Sequence, residues 1–273
     1  IDLLLDGVSR QRLAAAASVL ASARHDWGAI VPRLVDGYVR ALTPVSVAPS
    51  VIATVRNEES TVDALISGLG AQTLSPASMT VVDGGSTDAT VSRLATATAQ
   101  VPYPIDVHVA PGSNIAAGRN LAVARSGAPV VAVVDAGTVL HPEWVARLSG
   151  ALEGSPMVDI ASGFFVGAPG SAWERALSAT TLPNVEDIDP VLFQPSSRSV
   201  AFRRSAFEKV HGYPEWLDYG EDLVFDLAMR RAGATFRFVP RAVVRFRPRS
   251  TVRAFFVQYY RYARGDGKAG LFA

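Results

Sequence analysis

A few short stretches hold residue types that can do chemistry. The run "VVAVVDAGTVLHPEW" (130–144) reads as a buried strand that stops on one acid, Asp135, followed by Ala136, Gly137 and a helix start. In "VVDGGSTDAT" Asp83 also closes a strand, with Gly84 and Gly85 after it. A carboxylate there can accept from the ring N–H of a uracil or guanine, and the glycines let the backbone approach a base or ribose. The plainer alternative is a strand-to-helix turn capped by Ser86 or Asp88. Glu221 and Asp222 open "GEDLVFDLAMRRAG" (220–233). Their like charges raise the affinity of Asp222 for a proton, and complementarity to the helix dipole is the competing explanation. Thr54 to Glu58 follow the strand "SVIATV", and Arg119 lies in a helical "AGRN". Taken singly, Glu58 suits a helix start, Arg119 suits a surface, and Asp226 with Arg230 suits an exposed i,i+4 pair.

These residues depend on the elements that carry them. Residues 8–23 and 26–41 have helical character, and "TPVSVAP" reads as a linker. From residue 50 short apolar strands alternate with helices. Strands fall at 50–55, 79–83, 105–110 and 129–135, and helices at 61–72, 87–99 and 114–126. That alternation predicts a parallel, doubly wound sheet, with ligands at the carboxyl ends of its strands. The most apolar strand, 129–135, is expected at the centre. Beyond it the pattern gives a strand at 158–167, a helix at 172–180 and a proline-bearing loop at 181–199. Strand, turn and short helix follow over 199–213, then a helix over 220–233. Two short strands ("TFRFVP" and "AVVRFRP") and a last helix from 250 complete the reading.

The chain has 273 residues, 49% of them hydrophobic and 19% charged, enough for a large α/β core. A net charge of +1 gives no reason to expect nucleic acid. With no cysteine, disulfides and thiolate metal sites are ruled out. No apolar run is long enough to span a bilayer. The missing initiator Met points to a trimmed chain, and the abrupt end at "GLFA" leaves open a membrane segment beyond it. No GxGxxG follows the first strand, so NAD and FAD are disfavoured. A P-loop and a G-x-S-x-G elbow are also missing, and the four His (25, 108, 141, 211) lack metal-ligand spacing.

The series "ATVRNEE", "VVDGGSTDAT", "AAGRNLAVARSGAPVVAVVDAGT", "VAFRRSAFEKVHGYPE" and "GEDLVFDLAMRRAG" occurs in one order over about residues 49–233. It resembles the family 2 glycosyltransferases, inverting enzymes of the GT-A fold. The resemblance implies a Rossmann-like, mostly parallel doubly wound α/β domain over 48–250, with residues 1–47 as a helical extension and 251–273 as a C-terminal amphipathic helix and tail. It implies that Thr54, Arg56 and Glu58 flank the base and ribose, that Asp83 binds the base, and that Arg119 lies near the nucleotide. Asp222, with Glu221 beside it, matches the general base. Asp135 matches the first acid of the family's Asp-x-Asp motif, which binds ribose and the metal-bridged diphosphate. Here the motif reads "DAG", with Gly137 in place of the second acid. A divalent cation, Mg²⁺ or Mn²⁺, held by Asp135 is therefore in doubt, while nucleotide binding is not. Arginines are a ready substitute, and 237–268 holds nine basic residues against one acid, Asp266. The alternative for that run is a solvated basic face or a contact with anionic lipid.

Within the last helix "QYYRY" resembles the Q-x-x-R-W motif of processive polysaccharide synthases, with Tyr262 for Trp. By that resemblance Gln258, Arg261 and Tyr262 line the acceptor or diphosphate side. At 100° per residue Val252, Phe255, Phe256, Tyr259, Tyr262 and Ala263 share one face, and Arg253, Gln258, Arg261 and Arg264 the other. Trp216, Tyr213 and Trp173 are candidate sugar-stacking aromatics, with core packing as the alternative. The expected partners are a UDP- or GDP-type sugar donor, a glycan or lipid-linked acceptor and a membrane surface. The expected location is the cytoplasm or the inner face of the membrane. Two competing functions are a polyprenyl-phosphate sugar transferase and a nucleotide-binding scaffold that has lost catalysis.

Overall fold

A computed structural model describes residues 7–28, 30–32, 34–35 and 48–271. The chain divides into two compact units, Ile1–Pro44 and Val45–Ala273. In the first unit the helix expected over 8–23 is α1 (Gly7–His25). Of the helix expected over 26–41, residues 27–28, 30–32 and 34–35 are helical, and 29, 33 and 36–41 lie outside the described residues. Most of the "TPVSVAP" linker lies outside them too.

The second unit is an α/β fold around one eight-stranded sheet of order β3-β2-β1-β4-β7-β6-β8-β5. Its first half alternates as expected: β1 (Ser50–Val55), α2 (Val62–Gly70), β2 (Ser78–Asp83), α3 (Thr90–Thr98), β3 (Ile105–Val109), α4 (Ile115–Ser126) and β4 (Val130–Val133). β1, β2 and β4 are apolar runs buried on both faces, which is how strands read when helices cover a parallel sheet. β1 pairs in parallel with β2 on one side and β4 on the other. The chain therefore lays β2 and β3 outward from β1 in one direction and returns to place β4 on the other side. That reversal is a topological switch point, where the carboxyl ends of neighbouring strands leave a crevice.

The second half is mixed rather than parallel. It runs β5 (Thr138–Leu140), α5 (Trp144–Glu153), β6 (Ile160–Gly167), α6 (Ala172–Thr181), β7 (Val200–Arg203), α7 (Arg204–Lys209), α8 (Glu221–Arg231), β8 (Phe236–Phe246) and α9 (Val252–Lys268). β7 is antiparallel to β4 and β6, β6 is parallel to β8, and β5 is antiparallel to β8. Two expectations fail here. A strand, β5, intervenes where a helix was expected directly after "DAG". The two short strands expected after 233 are one, β8, because the ladder skips from Phe238 to Val243 opposite Ser162 and Phe164. Pro240 falls in that skip, where no ladder N–H is needed.

The core lies on both faces of the sheet. Trp144, Leu65, Leu69 and Leu148 pack one side, and Phe202, Phe225, Tyr213 and Met229 the other. Among the described residues no helix is long and apolar enough to cross a membrane.

Candidate active site

A cleft of about 860 Å³ opens at the switch point. Its walls are the end of β1 and the segment after it (Thr54, Arg56, Glu58), Gly84 after β2, the start of α4, Asp135, Arg198, the Asp218–Leu223 stretch and the C-terminal part of α9.

The loops after β1 and β2 interlock. Asn57, in left-handed backbone with φ 57°, donates its N–H to Ser86 Oγ at 2.8 Å and accepts from Thr87 N at 2.9 Å. Glu58 N donates to Thr90 Oγ1 at 2.8 Å, and Glu59 and Asp88 each accept from the backbone of the other's loop. The residues of "STD" are consumed in this turn, which is why α3 begins at Thr90 rather than 87. Asp83 belongs to the same turn. Its Oδ1 accepts from Gly85 N at 2.9 Å and Ser86 N at 2.8 Å, and the Ser86 hydroxyl bonds to Oδ2. The carboxylate is fully buried and does not line the cleft, so the plain turn reading describes its contacts. To meet a base, Oδ2 would have to release the Ser86 hydroxyl.

α4 starts at Asn114, whose side chain accepts from Ala117 N at 2.9 Å. The helix crosses β1 closely: a Cβ on Gly118 would lie 2.7 Å from Thr54 Cγ2. That approach drives Arg119, next in sequence, into the floor of the cleft, where only 2% of it is exposed. Arg119 donates to Glu221 Oε1 at 2.6 Å and to Asp135 Oδ1 at 3.1 Å, and its guanidinium lies 5.3 Å from the Tyr213 ring. Arg198 Nε lies 3.4 Å from Asp135 Oδ2. Glu221–Arg119–Asp135–Arg198 is thus one alternating chain of charge drawn from four separate elements. Burial alone would weaken the hold of Arg119 on its proton, but Asp135 and Glu221 outweigh it and the net shift is upward. Burial also pushes the Glu221 carboxyl above its ordinary range, with Arg119 opposing and Asp222 adding to the rise.

Asp222 is partly exposed on the cleft wall at the first turn of α8, where Oδ1 accepts from Leu223 N at 2.9 Å. Asp226, one turn on, is not the surface partner of Arg230. It is 3% exposed, and its Oδ2 has no hydrogen-bond partner. Arg230 instead donates to Phe193 O at 2.9 Å and lies over the Phe236 ring. Burial first, then Asp222, raises the Asp226 carboxyl well above its ordinary range.

α9 forms the far wall. Its protected stripe is Ala254, Phe255, Gln258, Tyr262, Gly265 and Asp266 rather than the expected aromatic face. Phe256 is 70% and Tyr260 63% exposed. Gly265 permits the contact, since a Cβ there would lie 2.2 Å from Tyr219 O. Arg261 and Tyr262 line the cleft, and Arg261 lies 5.5 Å from the Tyr219 ring. Gln258 does not reach it; Gln258 Nε2 donates to Tyr262 Oη at 2.5 Å and Oε1 accepts from Arg249. None of the three proposed stacking aromatics lines the cleft. Tyr213 is core, Trp173 packs edge-on to Phe255, and Trp216 is 59% exposed outside the cleft.

Sequence reasoning missed Arg198, Asp218, Tyr219, Arg264, Asp266 and Lys268 as wall residues. For Arg198 the only local signal is a lone arginine in a polar stretch, "PSSRS", of the proline-bearing loop.

The described side chains by themselves do not make a divalent-cation site. Asp135 is the only carboxylate at the β4 end, Gly137 offers no ligand, and both Asp135 oxygens already face guanidiniums. Among the described residues no group of three or more His, Asp or Glu could hold a metal ion.

The sequence model described as "Glycosyl transferase family 2" matches residues 50–211. A comparison with curated protein sequences found no match. Among solved structures, residues 1–349 of S. aureus TarS in complex with UDP match with TM-score 0.59 and 16% identity, over 73% of this chain and 60% of that one. The same protein in complex with UDP-GlcNAc matches with TM-score 0.60 and 18% identity, over 74% and 59%. The mannosyltransferase PcManGT from Pyrobaculum calidifontis, in complex with GDP-Man and Mn²⁺, matches with TM-score 0.62 and 18% identity, over 94% and 76%. The chain thus spans about 60% of the TarS chain it matches.

Proposed function

The chain belongs to glycosyl transferase family 2, and from that premise we propose that it moves a sugar, with inversion, from a nucleotide diphosphate donor to an acceptor hydroxyl. One observation carries the reading. Arg119, Asp135, Glu221 and Asp222, far apart in sequence, converge on a single cleft at the switch point of the sheet. Thr54, Arg56 and Glu58 flank the base and ribose, Asp83 reads the base once its Oδ2 releases the Ser86 hydroxyl, and Arg119 and Asp135 hold the ribose and diphosphate side. The donor is of UDP or GDP type, a choice supported by the nucleotides in the structural relatives.

Asp222 is the general base. It takes the acceptor hydroxyl proton as the acceptor oxygen attacks the anomeric carbon and the nucleoside diphosphate leaves. Glu221 positions Asp222's helix turn by anchoring it to Arg119. Arg261 and Tyr262 face the acceptor or diphosphate. Inverting transfer needs no protein nucleophile, which suits a cleft lined by acids and cations.

A second reading, a polyprenyl-phosphate acceptor, is favoured by the exposed aromatics of α9. Asp222→Asn separates the two. A hydroxyl acceptor predicts a fall in transfer of about 10²–10⁴-fold with donor affinity kept. A phosphate acceptor needs no strong base, so near-normal transfer would select it. A panel of UDP-, GDP- and dTDP-sugars in thermal-shift and turnover assays tests the whole reading. Binding without turnover of any sugar by the wild type would mark a nucleotide-binding scaffold.

A further inference from the structure

Arg198 faces Asp135, the acid that the sequence pattern pairs with a metal. The missing second acid is a matter of residue choice, because a Cβ built on Gly137 meets nothing within 4 Å. Space for a carboxylate is present and unused. Asp135 faces two guanidiniums instead, and they are not alike. Arg119 is committed, buried with its other arm on Glu221. Arg198 holds Asp135 more loosely, 3.4 Å from Nε to Oδ2, and 24% of its side chain is exposed where it lines the cleft.

Its position is nevertheless fixed. The guanidinium lies 4.7 Å from the Phe246 ring and 5.8 Å from that of Phe165, two residues on neighbouring strands. Tyr262 and Asp222 also act on its charge. A permanent cation is therefore held beside two aromatic rings and the strand-end acid, on the wall of the cleft. A guanidinium meets phosphate oxygens with two parallel N–H bonds and carries its charge at any physiological pH.

We propose that Arg198 binds the donor's diphosphate directly, in place of a divalent cation, so that donor binding is independent of metal. The inference rests on the cleft being a nucleotide diphosphate site. During transfer the bond from the anomeric carbon to the β-phosphate oxygen breaks and the bond from the acceptor oxygen forms. The acceptor proton passes to Asp222. The departing diphosphate gains one negative charge, which the Arg198 N–H groups receive by hydrogen bonding.

The test is isothermal titration calorimetry of the full chain with UDP and with GDP, each in EDTA and in Mn²⁺. One of the two should bind in EDTA, with Kd changed less than about threefold by Mn²⁺. Arg198→Ala should raise that Kd at least about tenfold, with Arg198→Lys between the two, as expected when charge is kept and the fork lost. Gly137→Asp should make binding respond to Mn²⁺. A wild type that binds only with Mn²⁺ overturns the proposal and leaves the nucleotide cleft standing, and so does an Arg198→Ala variant with unchanged Kd in EDTA. Binding of neither nucleotide under any condition overturns the cleft reading together with the proposal. If Arg198→Ala does not fold, the wild-type comparison and Gly137→Asp still decide.

Discussion

Replacing Arg119 by Met should unload a buried charge, and the size of the effect follows from its contacts. Arg119 joins Glu221 at 2.6 Å and Asp135 at 3.1 Å, but the two acids would suffer unequally. The Asp135 side chain is 32% exposed and keeps Arg198, so it loses little. The Glu221 side chain is 8% exposed and pairs with no other cation among the described residues. Breaking a buried pair by removing one partner costs about 3–5 kcal/mol, against a total of about 5–15 kcal/mol for a domain. Tm should fall by roughly 6–20 °C. The loss depends on pH. Burial already raises the Glu221 carboxyl in the folded state above its ordinary 4.5, and removing Arg119 removes the opposing pull. A carboxyl raised on folding is charged more readily in the unfolded chain. Its stabilising share is whole below about pH 4.5 and is lost as pH rises through the folded value. The deficit of Arg119→Met should therefore be full at pH 8, smaller at pH 5 and nearly gone near pH 4.5. Urea unfolding followed by circular dichroism, at unchanged m-value, measures it. Adding Glu221→Gln should restore about 2 kcal/mol or more at pH 8, because the stranded charge is gone. A loss under about 1 kcal/mol, a loss equal at pH 5 and pH 8, or no rescue by Glu221→Gln would refute the account.

Asp226→Asn tests the other buried acid of α8. The share of wild-type stability carried by Asp226 should fall as pH rises above about 3.8, and the variant should lack that fall, gaining roughly 1–3 kcal/mol on the wild type between low pH and pH 8, the cost of an unsatisfied buried group. Parallel pH profiles for the two proteins would contradict this. Asp83→Asn can still accept from Gly85 N and Ser86 N, so it keeps the turn and removes only the charge. Nucleotide affinity should drop by about 1.5–3 kcal/mol in calorimetry if the carboxylate reads the base, and wild-type affinity would confine Asp83 to the turn. Arg261→Ala should lower transfer at least tenfold, about 1.4 kcal/mol, without unfolding the protein. Normal transfer with loss of liposome binding alone would make α9 a membrane contact.

Much of the first half was legible because its signals are local. β1, β2, β3, β4 and α4 follow from apolar runs, turn residues and the Asn114 cap, and the rule of carboxyl ends then puts Thr54, Gly84 and Asp135 near one crevice. The second half resists the same reasoning. Pro240 looks like a strand breaker, and only the partner strand β6 shows that it falls in an unpaired skip. β5 has three residues, too few for a period. Asp226 and Arg230 have the spacing of a surface pair, but which face of α8 is buried is decided by Tyr213 and Phe202 elsewhere in the chain. Nothing local distinguishes Arg198 from any loop arginine, because its partners are Asp135, Phe165 and Phe246.

α9 shows why such failures gather at the site. A helical wheel assigns the apolar side to the interior on the assumption that the surface it meets is apolar. The surface α9 meets is in part the wall of a polar cleft, so its docked stripe mixes Phe255 and Tyr262 with small and polar residues, and Gly265 replaces bulk with close approach to Tyr219 O. The same contact places Asp266 against Gly220, at the N-terminus of α8, the helix that carries Glu221 and Asp222. Burial and the Asp222 charge raise the Asp266 carboxyl as a result. An element that closes a site must match the chemistry of the site rather than that of the core. Its outward aromatics are then the residue of that choice, and local patterning misleads most where the chain is built to bind.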